Sequence, residues 1–421
     1  MTYQEAIDYI ENFTWSKTRL GLERTKELLA RLGNPQKQLK FVHVTGSNGK
    51  GSTCAMLDSV LRKSGYTTGL YTSPYVCEFN ERIRVNGENI SKTDLASITA
   101  EVKVMADAME DHPSQFELVT AIAFVYFQRM HCDIVVLEVG MGGALDSTNA
   151  IDAPLVAAFT NIGLEHTEYL GSTIEEIAST KGGIIKPGCS VVCYDSDPRS
   201  NAVIENICKE KKTNFRLADF SLIQPLSHDL SGQRFVRKGI GYTLPLLGKH
   251  QLYNAEVVFE IIEELKKLGY EIDDRAVYEG MSEVRWMARF DVLSTDPVFI
   301  LDGGHNPQCA KALRVVLDDY LPDGKLTFLV GILADKNYSE MIDAVSGRAA
   351  RFICVTPDSP RALEAEALAK VIKEKGFPAL TASDVDCAVE ESFKYPEPVI
   401  AFGSLYMAGD VLRIMKKCHH R

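Results

Sequence analysis

Residues 41–65 read FVHVTGSNGKGSTCAMLDSVLRKSG: an apolar run, a glycine-rich turn, then a helical pattern. No other stretch restricts the fold as much. Phe41–Val44 predicts a buried strand, and Gly46, Gly49 and Gly51 keep the turn clear of side chains. In such a strand–turn–helix unit, backbone N–H groups can converge on one anion at a helix N-terminus, where the dipole also favours negative charge. Gly46, Ser47, Asn48, Gly49, Lys50, Gly51 and Ser52 would form this cradle. Lys50 would reach the β- and γ-phosphates of a nucleotide, and the Ser52 hydroxyl would face a magnesium ion. The usual pattern has Ser or Thr directly after the Lys; here Gly51 intervenes. A glycine turn without a ligand is the alternative, but strand, glycines, lysine, serine and helix in order point to a nucleoside triphosphate.

Composition narrows the partners. At roughly 100–200 residues per domain, a chain of 421 residues makes two or three domains. A net charge of −11 argues against bulk nucleic-acid or anionic-membrane binding. A polyanionic substrate must therefore be met by locally placed Lys, Arg, helix ends or metal. The ten cysteines include no CxxC pair, the nearest being Cys189 and Cys193, and read as reduced core thiols. The start, MTYQEAIDYIENF, reads as an acidic amphipathic helix and lacks a signal peptide's basic start and apolar core. Apolar stretches such as Val119–Phe127 fall short of the roughly 20 residues a membrane span needs. The expectation is a cytoplasmic protein.

Strand and helix patterns alternate along the chain, which predicts α/β architecture with mainly parallel sheets. Strands are expected at Lys40–Val44, Asp133–Val139, Pro154–Thr160 and Ser190–Tyr194. Helices are expected at Ser52–Ser64 and Phe116–Met130, and Phe215–Pro245 reads as a β-hairpin region. The polar break LSTDP suggests a linker at about 293–297, dividing a P-loop domain (1–294) from a smaller domain (298–421). In the second part Val298–Asp302, Leu326–Ile332, Arg351–Thr356 and Pro398–Phe402 read as buried strands of a doubly wound, Rossmann-like sheet.

Ligands of open α/β sheets collect at the carboxyl ends of strands. There, IVVLE ends in Glu138, followed by Gly140, Gly142 and Gly143, an arrangement in which a carboxylate can bind Mg²⁺; a solvent-facing glutamate is the plainer reading. NIGLEHTEYLG offers Glu165 and His166, and YTSPYVCEFNERI offers Ser73, though turn chemistry explains Ser-Pro equally well. The second domain offers Asp302 and His305 in VFILDGGHNP, Asp335 and Lys336 in GILADKNY, Arg361 in VTPDSPRAL, and Ser404 and Tyr406 in FGSLYMAG. Strand-end loops are polar in any case, but four such loops suggest that a second substrate or the far side of the nucleotide sits between two domains.

TGSNGKGS, TSPYVCEFNERI, EVGMGGALDSTN, GLEHTEYLG, TKGGIIKPG, GKHQLYNA, RWMARFD, LDGGHNP, GILADKNY and GSLYMAG occur in the order seen in folylpolyglutamate synthases and dihydrofolate synthases of the Mur ligase family. The chain resembles that family from about Leu20 to near its C-terminus. The resemblance implies an ATP-dependent amide ligase that adds L-glutamate to the γ-carboxyl of folate, to dihydropteroate, or to both, with a P-loop ATPase domain and a smaller Rossmann-like domain on the glutamate side. It implies Ser73, Glu138 and His166 as magnesium ligands, two Mg²⁺ sites, and a carboxylated Lys181. Asn254, Arg289 and Asp302 match nucleotide contacts, and His305 and Ser404 match positions associated with the incoming glutamate. Pro74 and the segment from Phe116 to Thr120 resemble the folate contact regions. Lys50, Lys181 and His305 would carry the chemistry, with His305 a candidate base for the glutamate amine. The family usually works as a monomer. Ser47, Tyr75, Ala144 and Lys249 depart from its commoner residues.

Three alternatives stand beside this reading. A Mur-type peptidoglycan ligase would carry a nucleotide-sugar domain before the P-loop, where only about 40 residues stand. A non-catalytic nucleotide-binding module would not need the second-domain set. A dinucleotide-dependent dehydrogenase would need GxGxxG after a strand, which is missing.

Overall fold

The structure is a computed structural model describing residues 1–11 and 19–418. The N-terminal helix runs Tyr3–Ile10, closed by a capping box between Thr2 and Glu5; residues 12 and 13 of the expected helix lie outside the described residues. The chain forms two units. The first comprises Met1–Ser73, Phe79–Gln224 and Leu252–Val284; the second comprises Pro74–Glu78, Pro225–Gln251 and Arg285–Arg421.

The first unit is built on an eight-stranded sheet: β1 Phe41–Thr45, β2 Thr68–Tyr71, β3 Ile83–Val85, β4 Glu88–Asn89, β5 Ile134–Glu138, β6 Val156–Phe159, β7 Ser190–Cys193 and β8 Asn214–Leu217, in the order β4-β3-β2-β5-β1-β6-β7-β8. β1 lies between β5 and β6, parallel to both. All five residues of β1 and of β5 are buried, as apolar runs covered on both faces of a sheet must be. The helix Gln115–Arg129 opens with a capping box from Ser114 to Glu117 and buries nearly every side chain of LVTAIAFVYF, so its periodicity is faint in the sequence.

The second unit carries an antiparallel meander, β9 Ile223–Asp229, β10 Gly232–Arg237 and β11 Ile240–Leu244, with β9 beginning in the first unit. Its main sheet has six strands: β12 Asp291–Thr295, β13 Val298–Asp302, β14 Leu326–Val330, β15 Ala349–Cys354, β16 Ala379–Thr381 and β17 Val399–Phe402, in the order β12-β13-β17-β14-β15-β16. Alternate residues feed two separate cores. Ile300, Phe328, Phe352 and Ile400 meet the helices Pro307–Tyr320, Tyr338–Ser346 and Ala365–Glu374. Phe299, Leu329, Ile353 and Ala401 meet Val385–Ser392 and Leu405–Cys418. Burial on both faces is the mark of a doubly wound sheet.

Two expectations about organisation differ from the structure. The segment expected as a linker at 293–297 is the end and turn of an antiparallel hairpin between β12 and β13; the polar LSTDP stretch reflects an edge strand, and the change of unit comes at Val284 and Arg285. The expected hairpin region also divides: Asn214–Leu217 extends the parallel sheet beside β7, and the meander follows it.

Candidate functional site

The β1 chain leaves the sheet at Thr45 and enters a tight loop before the helix Lys50–Lys63. Gly49 caps that helix at φ +91°, and a Cβ there would stand 2.6 Å from Asn254 Oδ1; only glycine meets both conditions. The Ser47 N–H donates to the Asn161 carbonyl at 2.7 Å. The Ser47 hydroxyl donates to the Gly163 carbonyl at 2.9 Å and accepts the Gly163 N–H at 3.0 Å. The loop is thus pinned to the segment after β6. The first N–H groups of the helix have no intrahelical acceptor and can face an anion.

Two lysines converge on this loop. Lys50 Nζ donates to the carbonyls of Gly46 at 2.8 Å and Ser47 at 3.2 Å. Lys181 Nζ donates to Gly46 O at 2.9 Å and to Glu165 Oε1 at 3.0 Å. Lys181 is fully buried and Glu165 partly so. Burial would raise the Glu165 pKa, but Lys50 and Lys181 outweigh it and hold the carboxyl down to about 2. Burial pushes Lys181 down to about 8, with Glu165 pulling the other way. His166 follows, exposed and at a left-handed φ of 45°, a strained conformation of the kind that clusters at functional sites.

Glu138 closes β5 and is buried, and its Oε2 accepts the Ser73 N–H at 3.1 Å. The structure therefore brings Glu138 and Ser73 together. Phe116 leans on Gly140, where a Cβ would overlap its ring, and on Tyr71, with ring centroids 6.0 Å apart. Thr120 sits behind Phe116: it is buried, its hydroxyl donates to the Phe116 carbonyl at 2.8 Å, and Tyr71 Oη lies 3.2 Å away. Thr120 therefore supports the aromatic pair. Pro74 belongs to the second unit.

In the second unit, parallel pairing sets Asp302 beside Phe402, so Asp302, His305 and Ser404 share one sheet edge. The Asp302 carboxylate accepts the N–H groups of Phe290 at 2.9 Å and Gly304 at 2.8 Å. It thereby fixes the turn bearing Arg289, whose Nη1 donates to the Ala288 carbonyl at 2.8 Å. Ala288 and Phe290, on either side of Arg289, both have left-handed φ. His305 Nδ1 lies 3.0 Å from the Gly303 carbonyl. Ser404 is buried and accepts the Tyr406 N–H at 3.1 Å, which makes it a cap of the last helix. Asp335 pairs with Arg361 at 3.3 Å and Lys336 at 3.8 Å, so one carboxylate is shared by two cations.

Sequence reasoning passed over four residues. His250 faces Asp302 and Arg289, and desolvation lowers its pKa. His43, Asp146 and Thr148 form a buried chain beneath the turn after β5. The available signal was a polar residue inside an apolar strand: a buried His needs a partner. Burial pushes His43 down to about 3, so it stays neutral in the fold while the unfolded chain protonates it below its ordinary value of 6.5. Its contribution is fully present above pH 6.5 and is lost progressively toward pH 3. Between pH 6.5 and 5.0, His43→Gln is expected to lose about 2 kcal/mol less stability than the parent chain, measured by denaturant unfolding at the two pH values.

Comparison with known proteins places these features in a family. The profile described as "Mur ligase middle domain" matches residues 44–262, and "Mur ligase, glutamate ligase domain" matches 288–404. A dihydrofolate synthase/folylpolyglutamate synthase of Bacillus subtilis is 34% identical, covering 98% of this chain and 99% of that protein. The chain also matches a probable bifunctional folylpolyglutamate synthase/dihydropteroate synthase of Haloferax volcanii at 34% identity, over 97% of this chain and about half of that protein (50%). The folylpolyglutamate synthase of Mycobacterium tuberculosis, solved with ADP and AMPPCP, superposes with a TM-score of 0.89 at 28% identity, covering 98% of this chain and 99% of that one.

Proposed function

Because this chain belongs to the Mur ligase family, in its folylpolyglutamate synthase/dihydrofolate synthase branch, we propose that it is an ATP-dependent ligase joining L-glutamate to a folate or dihydropteroate carboxylate. The observation that carries this reading is the convergence of Lys50, Lys181 and Glu165 on the glycine loop, beside the Glu138–Ser73 pair. A cradle of helix N–H groups with two cations suits a nucleotide's phosphates. The mononucleotide-bound relative and the glutamate-ligase profile support the same assignment. The peptidoglycan-ligase and binding-module alternatives have no comparable support.

A carboxylate resists attack by an amine because the attack adds negative charge to it. Transfer of the γ-phosphoryl group to the pterin substrate's carboxylate gives an acyl phosphate, whose leaving group is good. Lys50 and the loop N–H groups would meet the charge on the transferring phosphoryl. The glutamate amine then attacks the acyl carbon, and phosphate departs as the amide forms. The amine must lose a proton, and His305 is proposed as its acceptor, held by the Gly303 carbonyl contact. Asn254, against the loop at Gly49, and Arg289 are proposed nucleotide contacts, with Asp302 orienting Arg289.

Glu138 and Ser73 offer hard oxygen donors, which suit Mg²⁺, an ion that takes one or two carboxylates and keeps several waters. No group of three or more His, Cys, Asp or Glu side chains gathers among the described residues, so phosphates and water would complete the shell. Bound there, Mg²⁺ would neutralise charge on the β- and γ-phosphates. His166 is proposed to join a second ion. Carboxylation of Lys181 would turn its ion pair with Glu165 into two anions, whose charge a second Mg²⁺ would offset when bound. Phe116, with Pro74, is proposed for the pterin side and Ser404 for positioning the glutamate edge through its helix. No helix among the described residues is long and apolar enough to cross a membrane. We propose a cytoplasmic monomer.

The direct test incubates the protein with MgATP and L-glutamate, adding dihydropteroate or tetrahydrofolate. Gain of one glutamyl unit by mass spectrometry, matched by phosphate release, is expected in at least one case. No product and no phosphate from protein that binds ATP would sink the assignment. His305→Ala is expected to lower turnover about 10²-fold with unchanged ADP affinity; unchanged turnover removes His305 from the scheme.

A further inference from the structure

The last helix, Leu405–Cys418, carries a glycine at its fifth residue, Gly409. Glycine inside a helix is unfavourable relative to alanine, because it gives up more backbone freedom on folding. The reason for it here is a close approach of backbone. Any Cβ on Gly409 would overlap the Val76 carbonyl and would stand 3.5 Å from the Cys77 Cα. Val76 belongs to Pro74–Glu78, the short stretch that joins the second unit. Pro74, Cys77 and Glu78 are exposed, whereas Val76 packs on the core shared by the sheet and this helix. At the base of the loop the Thr72 N–H donates to the Arg82 carbonyl at 3.0 Å. The tip takes its place from the Val76 packing and from the bare backbone at Gly409.

One turn earlier, the same helix closes on a different loop. A Cβ on Gly303 would overlap the Leu405 side chain, and Arg289 Nη1 would stand 2.9 Å from it. Positions i and i+4 of a helix share a face, about 6 Å apart along the axis. Leu405 and Gly409 are such a pair. The turn that bears Arg289 and His305 and the loop that bears Pro74 therefore lie along one face of the last helix, a single turn apart.

We propose that Gly409 is a positioning residue: by letting the Val76 carbonyl rest on the helix backbone, it sets the Pro74 loop beside the His305 turn, where the carboxylate of a pterin substrate meets the glutamate amine. The inference rests on the pterin reading of Pro74 given above. A side chain at position 409 would push the loop off the helix. The nucleotide side would not follow, because the glycine loop is held separately through Asn161 and Gly163.

The test compares the full chain with Gly409→Ala, Gly409→Val and Val76→Ala. For each, kcat/KM is measured for whichever of dihydropteroate and tetrahydrofolate the parent uses, together with ADP affinity and thermal melting. The rate of Cys77 alkylation by iodoacetamide reports the loop, read from its own peptide by mass spectrometry because Cys387 is also exposed. In Gly409→Ala, kcat/KM for the pterin is expected to fall about tenfold, and further in Gly409→Val, since misplacing a substrate-positioning element by about 1 Å can cost about 10²-fold. Val76→Ala should show a smaller fall. Cys77 should react faster in both glycine variants, with ADP affinity unchanged. A merely structural glycine would lower the melting temperature and leave kcat/KM of the folded enzyme at the parent value, and that result in Gly409→Ala overturns the proposal. If Gly409→Ala does not fold, parent-like kcat/KM in Val76→Ala overturns it. A fall in kcat/KM with unaltered Cys77 reactivity also overturns it, because the loop would not have moved. A parent chain that binds ADP yet extends neither pterin removes the functional reading itself, and this inference with it.

Discussion

Lys50→Ala is expected to lower turnover about 10²–10³-fold, the usual loss when one charge-stabilising donor leaves a phosphoryl-transfer site. The structure explains why folding should be spared. Lys50 is only partly buried, and its ammonium bonds to the Gly46 and Ser47 carbonyls, one of which Lys181 also serves. Loss of such hydrogen bonds costs about 1 kcal/mol. The measurement is steady-state phosphate release with melting in parallel. A variant that melts normally and turns over normally would show that Lys50 merely closes the loop on itself.

Lys181→Ala should act on both fold and chemistry. It leaves the Glu165 carboxylate enclosed without its nearest cation, and breaking a buried pair costs about 3–5 kcal/mol. The lower end is expected, since Lys50 still pulls on Glu165. Turnover should fall more than about 10²-fold. Lys181→Met with Glu165→Gln should recover stability, because no lone charge remains, and stay inactive. Carboxylation adds a separate signature. Only the neutral amine attacks CO₂, releasing a proton as the carbamate forms, and burial has pushed Lys181 down to about 8. The reactive fraction therefore grows as pH rises through that value. Protein freed of CO₂ should regain activity when equilibrated at a fixed CO₂ pressure, faster at pH 8.5 than at pH 7. Activity indifferent to CO₂ would exclude the carbamate.

Much of the framework was legible because its signals are local. The run FVHV and a helix after the glycine turn follow from apolar clustering and glycine placement, although the helix begins at Lys50, two residues before the expected Ser52, and β13 begins and ends at the expected residues. What stayed hidden depends on distant partners. β12 is an edge strand with half-buried residues, so its alternation is weak and Asp296 and Pro297 look like a linker. β16 has three residues, too few for any pattern. The same holds for the site. Glu138 stands at a strand end, where position alone marks it, whereas Asp146 meets donors that only the turn brings to it. The Lys181–Glu165 pair could not be read from TKGGIIK, which looks like an exposed basic turn; burial by the fold makes that lysine chemically unusual. Thr120 and Ser404 carry backbone partners that no sequence pattern announces.

The second unit is not a contiguous stretch of its gene. Val76, from a five-residue excursion, packs on one face of its sheet, and the Val76 carbonyl lies so close to Gly409 that any Cβ there would overlap it. Leu247 enters the opposite face, and Tyr320 holds the Gly248 N–H at 3.2 Å. A fragment starting at Arg285 would therefore lack parts of its own interior. Chimeras between relatives face the same constraint: exchanging the C-terminal third alone would pair one parent's Gly409 position with the other's loop. Recombination that respects the architecture must carry the short loop, the meander and the C-terminal segment together, so these three inherit as one block.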